Sequence, residues 1–205
     1  MGKKSRKTIV PTPYNEKEFA DIAAGRVANI TRKQSLCALI ERSISLVVQE
    51  EDITSAHVLI MAAWRVLNDL GKPDGKGPIL HDDPRVKGWL FDGYNFFRHA
   101  SPKYKDAELN MPPILNEILL LDVIVSFVKQ YSSAARTPAM TTFLLWFIIS
   151  KRADLELLQD ILDENLPAPA SLEAVDKLSR TEFFEVCLAE IRKRQEKQAS
   201  DSEKS

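Results

Sequence analysis

Apolar residues recur along this chain at spacings of three and four, with no stretch of strict strand-type alternation, which predicts helices throughout. Asn15-Glu16-Lys17-Glu18 has the form of a capping box opening a short helix that Gly25 closes. Thr31-Arg32-Lys33-Gln34 is a second box, followed by a stripe of Leu36, Leu39, Ile40, Ile44, Val47 and Val48. Glu50-Glu51-Asp52 punctuates, and Thr54 or Ser55 is expected to start a helix that runs to Leu70 and stops at Gly71 and Pro73. Residues 71–78 read as a Gly/Pro/Lys loop. Asp83-Pro84 opens a helix to about Ala100, with Pro102 just past its end. Pro112-Pro113 opens the next, for which Ile114, Ile118, Leu121, Val125 and Val128 are the expected core stripe. Thr137-Pro138 opens an apolar helix ending near Lys151. A short helix is expected from Asp154 to about Glu164, then a link from Asn165 to Ala170 carrying Pro167 and Pro169. Ser171 and the box Ser179-Arg180-Thr181-Glu182 open the last helices.

The boundaries agree with one another, and together they predict a single all-α domain: a helical bundle of about five long and two or three short helices, antiparallel where links are short. The expected organisation is a basic N-terminal arm over residues 1–12, the domain over 13–194, and a charged tail from Gln195 that frays.

Length and composition fit this reading. A chain of 205 residues with 44% hydrophobic and 28% charged residues can bury a core without metal or disulfides. Cys37 and Cys187 lie in helical apolar patterns and read as small core residues, which points to a reducing, cytoplasmic setting. The net charge of −1 argues against a dedicated duplex-DNA binder, although Lys3, Lys4, Arg6 and Lys7 form a basic arm. That basic start runs into Ile9-Val10-Pro11 and not into an apolar leader, and Arg6 stands where a myristoylation motif wants Ser or Thr, so neither signal is expected. The most apolar run, Phe143 to Ile149, is far shorter than the ~20 residues of a membrane span and reads as a core helix.

Candidate chemistry is concentrated in Tyr94-Asn95-Phe96-Phe97-Arg98-His99-Ala100. On a helix Asn95 and His99 share a face with Arg98 beside them, a polar set in an apolar setting where unpaired groups are costly. His99 would move a proton there and Arg98 would hold an anion. The plainer account is a helix end, where His and Arg in the last turn favour the helix dipole, and Pro102 favours that account. His57 lies early in an apolar helix and reads first as a core histidine. It becomes interesting only where its helix meets the Asn95–His99 face. The chain has no Gly-rich phosphate loop, Cys-x-x-Cys pair, His-Glu-x-x-His helix or Gly-x-Ser-x-Gly elbow, and no metal or cofactor is expected. Trp64, Trp89, Phe91, Phe96, Phe97 and Trp146 read as core and not as a base-stacking platform, and Asp82-Asp83 reads as helix N-terminal charge.

The segment Glu51-Asp52-Ile53-Thr54-Ser55-Ala56-His57-Val58-Leu59, with Ala62-Ala63 and the later Asn95-Phe96-Phe97-Arg98-His99-Ala100, resembles an uncharacterised group of small bacterial helical proteins. Their pattern pairs an acidic-Asp-x-x-Ser-x-His-Thr-Leu segment with an Asn-Phe-Phe-Lys-His-Ala-Asp segment. The resemblance covers roughly residues 31–130 and implies architecture, not activity. Val58, Arg98 and Ser101 depart from the pattern's Thr, Lys and Asp, and the lost carboxylate removes a group that would orient His99. The chain is more distantly similar to HEPN-type helical domains, whose signature places an Arg four to six residues before a His. No His here has one, and Tyr94 stands where that Arg would be.

The function expected from all this is a non-enzymatic interaction module, with a homodimer or a protein partner, as in a toxin–antitoxin or defence pair. One alternative is a HEPN-like ribonuclease or small-ligand enzyme using Asn95, Arg98 and His99 with His57 assisting. The other is an RNA-associated protein using the basic arm.

Overall fold

A computed structural model describes residues 30–82, 88, 93–96, 108, 110–151 and 177–202. The chain divides into two compact units, residues 1–32 and 33–205, and the helices below belong to the second, the first of them starting at its edge. They are α1 (Arg32–Gln49), α2 (Ile53–Gly71), α3 (Pro113–Tyr131), α4 (Pro138–Lys151) and α5 (Arg180–Ser202), with 3-10 turns at Lys72–Asp74, Ile79–Asp82 and Ser133–Ala135. Gly88 and residues 93–96 are also helical, inside the span expected to run from Pro84 to Ala100. No strand occurs among the described residues, so the fold is all-α. The expected helices at residues 15–25 and 154–164, and the boundary at residue 12, lie outside the described residues.

Two pairings organise the core, α2 on α3 and α4 on α5, with α3 also touching α4. On α2 the buried residues His57, Ile60, Met61, Trp64, Leu67 and Gly71 recur at three and four, one face of a helix. Trp64, Phe127 and Phe143 are among the largest side chains fully removed from water, each worth roughly 1.5–3 kcal/mol of transfer free energy. Residues 140–148 of α4 are buried without a break, so this apolar run is a core helix, as its length implied. No helix among the described residues is long and apolar enough to cross a membrane.

The α2 start differs from the expected one. Asp52 is the N-cap: its Oδ1 accepts from the Ser55 backbone N–H at 3.0 Å, and the Ser55 hydroxyl donates to Oδ2. An acidic residue taken as punctuation therefore closes the helix, because a carboxylate serves the free N–H groups and the positive helix end together. The box at α5 is as expected: the Ser179 N–H and hydroxyl donate to Glu182 Oε2 at 2.9 and 2.6 Å. Beyond it α5 continues to Ser202, so residues 195–202, expected to fray, are helical. That stretch has no Gly or Pro to stop the helix.

The largest difference is on α3. The expected stripe of Ile114, Ile118, Leu121, Val125 and Val128 is the half-exposed side, and the buried side carries Leu119, Leu120, Val123, Ile124 and Phe127 together with Asn116, Glu117, Asp122 and Ser126. α3 is apolar on nearly every face, so periodicity picks no side. Its polar residues Asn116, Glu117, Asp122 and Ser126 are turned inward and bonded.

Candidate functional site

His57 is fully buried on α2 and faces α3. Its Nδ1 lies 2.9 Å from Asn116 Oδ1, while Asn116 Nδ2 donates to the Ile53 carbonyl at 2.9 Å. The second bond fixes the amide with its oxygen toward the imidazole. Nδ1 therefore carries the hydrogen, and Nε2 is the nitrogen on the opposite edge of the ring. That edge meets the helical turn at 93–96: a Cβ built on Gly93 would stand 2.9 Å from Nε2. One residue on, the Arg65 guanidinium of α2 lies 4.4 Å from the centre of the Tyr94 ring. The structure thus brings the turn that carries Asn95, itself half-buried, against the helix that carries His57. Arg98 and His99 lie outside the described residues.

The spacing of Asp52, Ser55 and His57 has a physical account. Asp52 and Ser55 close the first turn of α2, and His57, two residues on, reaches Asn116 on the first turns of α3. Asn116 then returns to the carbonyl of Ile53, so α2 and α3 are clasped at their N-terminal ends.

Three further polar residues do comparable work, and sequence reasoning singled out none of them. Arg180, the first residue of α5, donates from Nη2 to Glu117 Oε1 at 2.6 Å and from Nη1 to the Val47 carbonyl at 2.8 Å. Nη1 is also 3.5 Å from Glu50 Oε1, and the guanidinium stacks 4.4 Å from the Trp146 ring centre. One side chain thereby ties α5 to α1, α3 and α4. Glu117, its partner, is only 2% exposed. Asp122 accepts from the Ile79 and Leu80 backbone N–H groups at 2.8 and 3.2 Å and from Trp64 Nε1 at 3.3 Å, fastening the 3-10 turn and α2 to α3. Burial holds the Asp122 carboxyl above its ordinary range, against the opposing pull of those N–H groups. The available signal was the presence of Asn116, Glu117 and Asp122 in an otherwise apolar helix, where a polar residue has to be paired.

The ends of α1, α2, α3 and α5 enclose a cavity of about 190 Å³. Leu46, Val47, Ile53, Ala56 and Pro113 form its apolar walls, Asn116 and Arg180 its inner polar edge, and Glu50 and Glu51 its mouth. Glu50 ends α1 with φ +54°, a left-handed conformation that a side-chain-bearing residue adopts at a cost of order 1 kcal/mol. Among the described residues no three His, Cys, Asp or Glu side chains are grouped to hold a metal ion. Cys37 and Cys187 are free thiols, both pushed above the ordinary thiol range by burial and so poorly nucleophilic at neutral pH.

No family model, curated protein or solved structure matches this chain.

Proposed function

We propose that the chain is a non-enzymatic interaction module whose working surface is the junction of the α1, α2, α3 and α5 ends. What supports this reading is that the polar groups are engaged in structure: Asp52 and Ser55 cap α2, and His57, Asn116 and the Ile53 carbonyl clasp α2 to α3. The concave surface beside them is apolar-walled, and Ile53 and Ile114 near it are 38% and 37% exposed. A second copy of this chain, or the other member of a toxin–antitoxin or defence pair, is the kind of partner such a module takes. The test places a photo-crosslinking residue at Ile114 or, as a control, at the exposed Lys129 of α3. Adducts to one protein, or to a second copy, from position 114 and not from 129 support the module.

One observation favours a second reading, an enzyme using His57 with the Asn95–His99 segment: Nε2 of His57 faces the turn that carries Asn95. RNA cleavage or other turnover by the purified chain that is lost in Arg98→Ala and His99→Ala, with melting unchanged, would establish that reading and overturn the module.

A further inference from the structure

We propose that the cavity at the four helix ends receives a lysine or arginine side chain presented by a protein partner. This rests on the interaction-module reading and names what the module recognises. Size comes first. About 190 Å³ is below the ~300–1,000 Å³ of sites for drug-sized ligands, yet holds the volume of roughly six liquid waters, the scale of one long side chain. A nucleotide or a coenzyme does not fit.

Charge decides the sign of the occupant. Arg180 is the one cation among the described lining residues, and its guanidinium is already bound to Glu117 and the Val47 carbonyl, stacked on Trp146 and 3.5 Å from Glu50 Oε1. It is a wall, not a free anion hook. The nearby helix N-termini offer an anion few donors. Asp52 serves that of α2, Glu182 and Ser179 serve that of α5, and α3 opens with Pro112 and Pro113, which have no N–H to donate. What the mouth presents is the carboxylate of Glu51, the exposed carboxylate of Glu50 that shares one oxygen with Arg180, and the carbonyl end of α1, whose last turn holds no basic residue.

A basic side chain matches both halves of this arrangement. Lying across the opening, its methylene stem rests on the apolar wall at Leu46, Val47 and Ile53 and its charged head ends beside Glu50 and Glu51. Both carboxylates stay exposed, so the desolvation penalty opposing binding is small.

The test uses the full chain, labelled with nitrogen-15, and four small probes followed by NMR: n-butylammonium, n-butanol, n-butyrate and inorganic phosphate. The expected result is saturable shifts from n-butylammonium at residues 47–53 and 114–116, weakened by added salt. A Glu50→Gln/Glu51→Gln double variant, altered only at exposed positions, is expected to bind that probe roughly three- to tenfold more weakly. Saturable binding of butyrate or phosphate in its place, undiminished binding by the double variant, stronger binding of butanol, or no saturable shift with any probe each overturns the proposal. The two readings fail separately. Crosslinking from position 114 with no ammonium binding removes only the basic occupant, whereas turnover lost in the Arg98 and His99 variants removes the module itself.

Discussion

Gly93 lies against the edge of the His57 ring so closely that a Cβ added there would be 2.9 Å from Nε2. Real Cβ atoms do not approach so near, and the obstacle is a fully buried imidazole clasped to Asn116 on its other side, so the ring has little freedom to retreat. Gly93→Ala is therefore expected to destabilise by about 1–3 kcal/mol through overpacking. Gly88, also helical, has open space around the same added atom, and Gly88→Ala is expected to stabilise by up to about 1 kcal/mol, the ordinary helix preference for Ala. Urea unfolding of the two variants beside wild type checks the contrast. Equal effects would mean that the turn at 93–96 does not pack on His57.

Asn116 is the second half of the same clasp. Asn116→Ala strips an acceptor from His57 Nδ1 in the core and a donor from the part-buried Ile53 carbonyl, and is expected to cost on the order of 2–3 kcal/mol. In a double-mutant cycle with His57→Phe, the double variant is expected to lose clearly less than the two single losses added together, because the second change finds the bond already gone. Strict additivity, read from denaturant midpoints at constant slope, would show that the two side chains are not coupled.

Arg180 illustrates why position matters more than charge type. Arg180→Lys keeps the charge but cannot reach Glu117 and the Val47 carbonyl with a planar fork while lying flat on Trp146. The lysine variant is expected to lose about 1–3 kcal/mol, and Arg180→Ala about 3 kcal/mol or more, since Glu117 stays buried without its closest cation. Pairing Arg180→Met with Glu117→Leu is expected to recover much of that loss, because the desolvated charge goes with its partner. A double variant as unstable as Arg180→Ala would contradict this account of the pair.

These residues also mark where the sequence was legible. The all-α class, the α1 stripe from Leu36 to Val48, the buried run of α4 and the box at Ser179 all follow from periodicity and local capping, and the structure has each of them. α3 was misread because Ile114, Ile118, Leu121, Val125 and Val128 are as apolar as the residues that are buried, so hydrophobic spacing carries no orientation there. Orientation is set by partners far along the chain: Asn116 pairs across 59 residues with His57, Glu117 across 63 with Arg180, and Asp122 across 43 with Ile79. No local rule encodes those separations. Of the candidate site, His57 and its nearness to the Asn95 segment were anticipated as a question about space. The cavity at the helix ends was not, since its walls come from four separate stretches of chain.

The acid limb of stability supplies a test in which carboxylates act with opposite signs. Asp52 and Glu182 are held below the ordinary carboxylate range, Asp52 by hydrogen bonds from the Ser55 hydroxyl and N–H, Glu182 by those from the Ser179 hydroxyl and N–H. A group whose folded value is lowered adds stability above its unfolded value of roughly 4 and loses it as pH falls through the folded value. Asp122 is raised by burial, so the fold favours its protonated form. Its contribution is full below the unfolded value and is lost as pH rises toward the raised one. Wild-type melting between about pH 3 and 6 therefore sums two rising terms and one falling term. Asp52→Asn with Glu182→Gln is expected to flatten the rise, since the two caps no longer titrate. Asp122→Asn is expected to be less stable at every pH, because an amide replaces one of the two accepting oxygens with an NH2 group that faces donors, and yet to steepen the rise. Calorimetric melting temperatures across that range decide it: a flatter profile for Asp122→Asn would mean that its carboxyl is not raised in the folded protein.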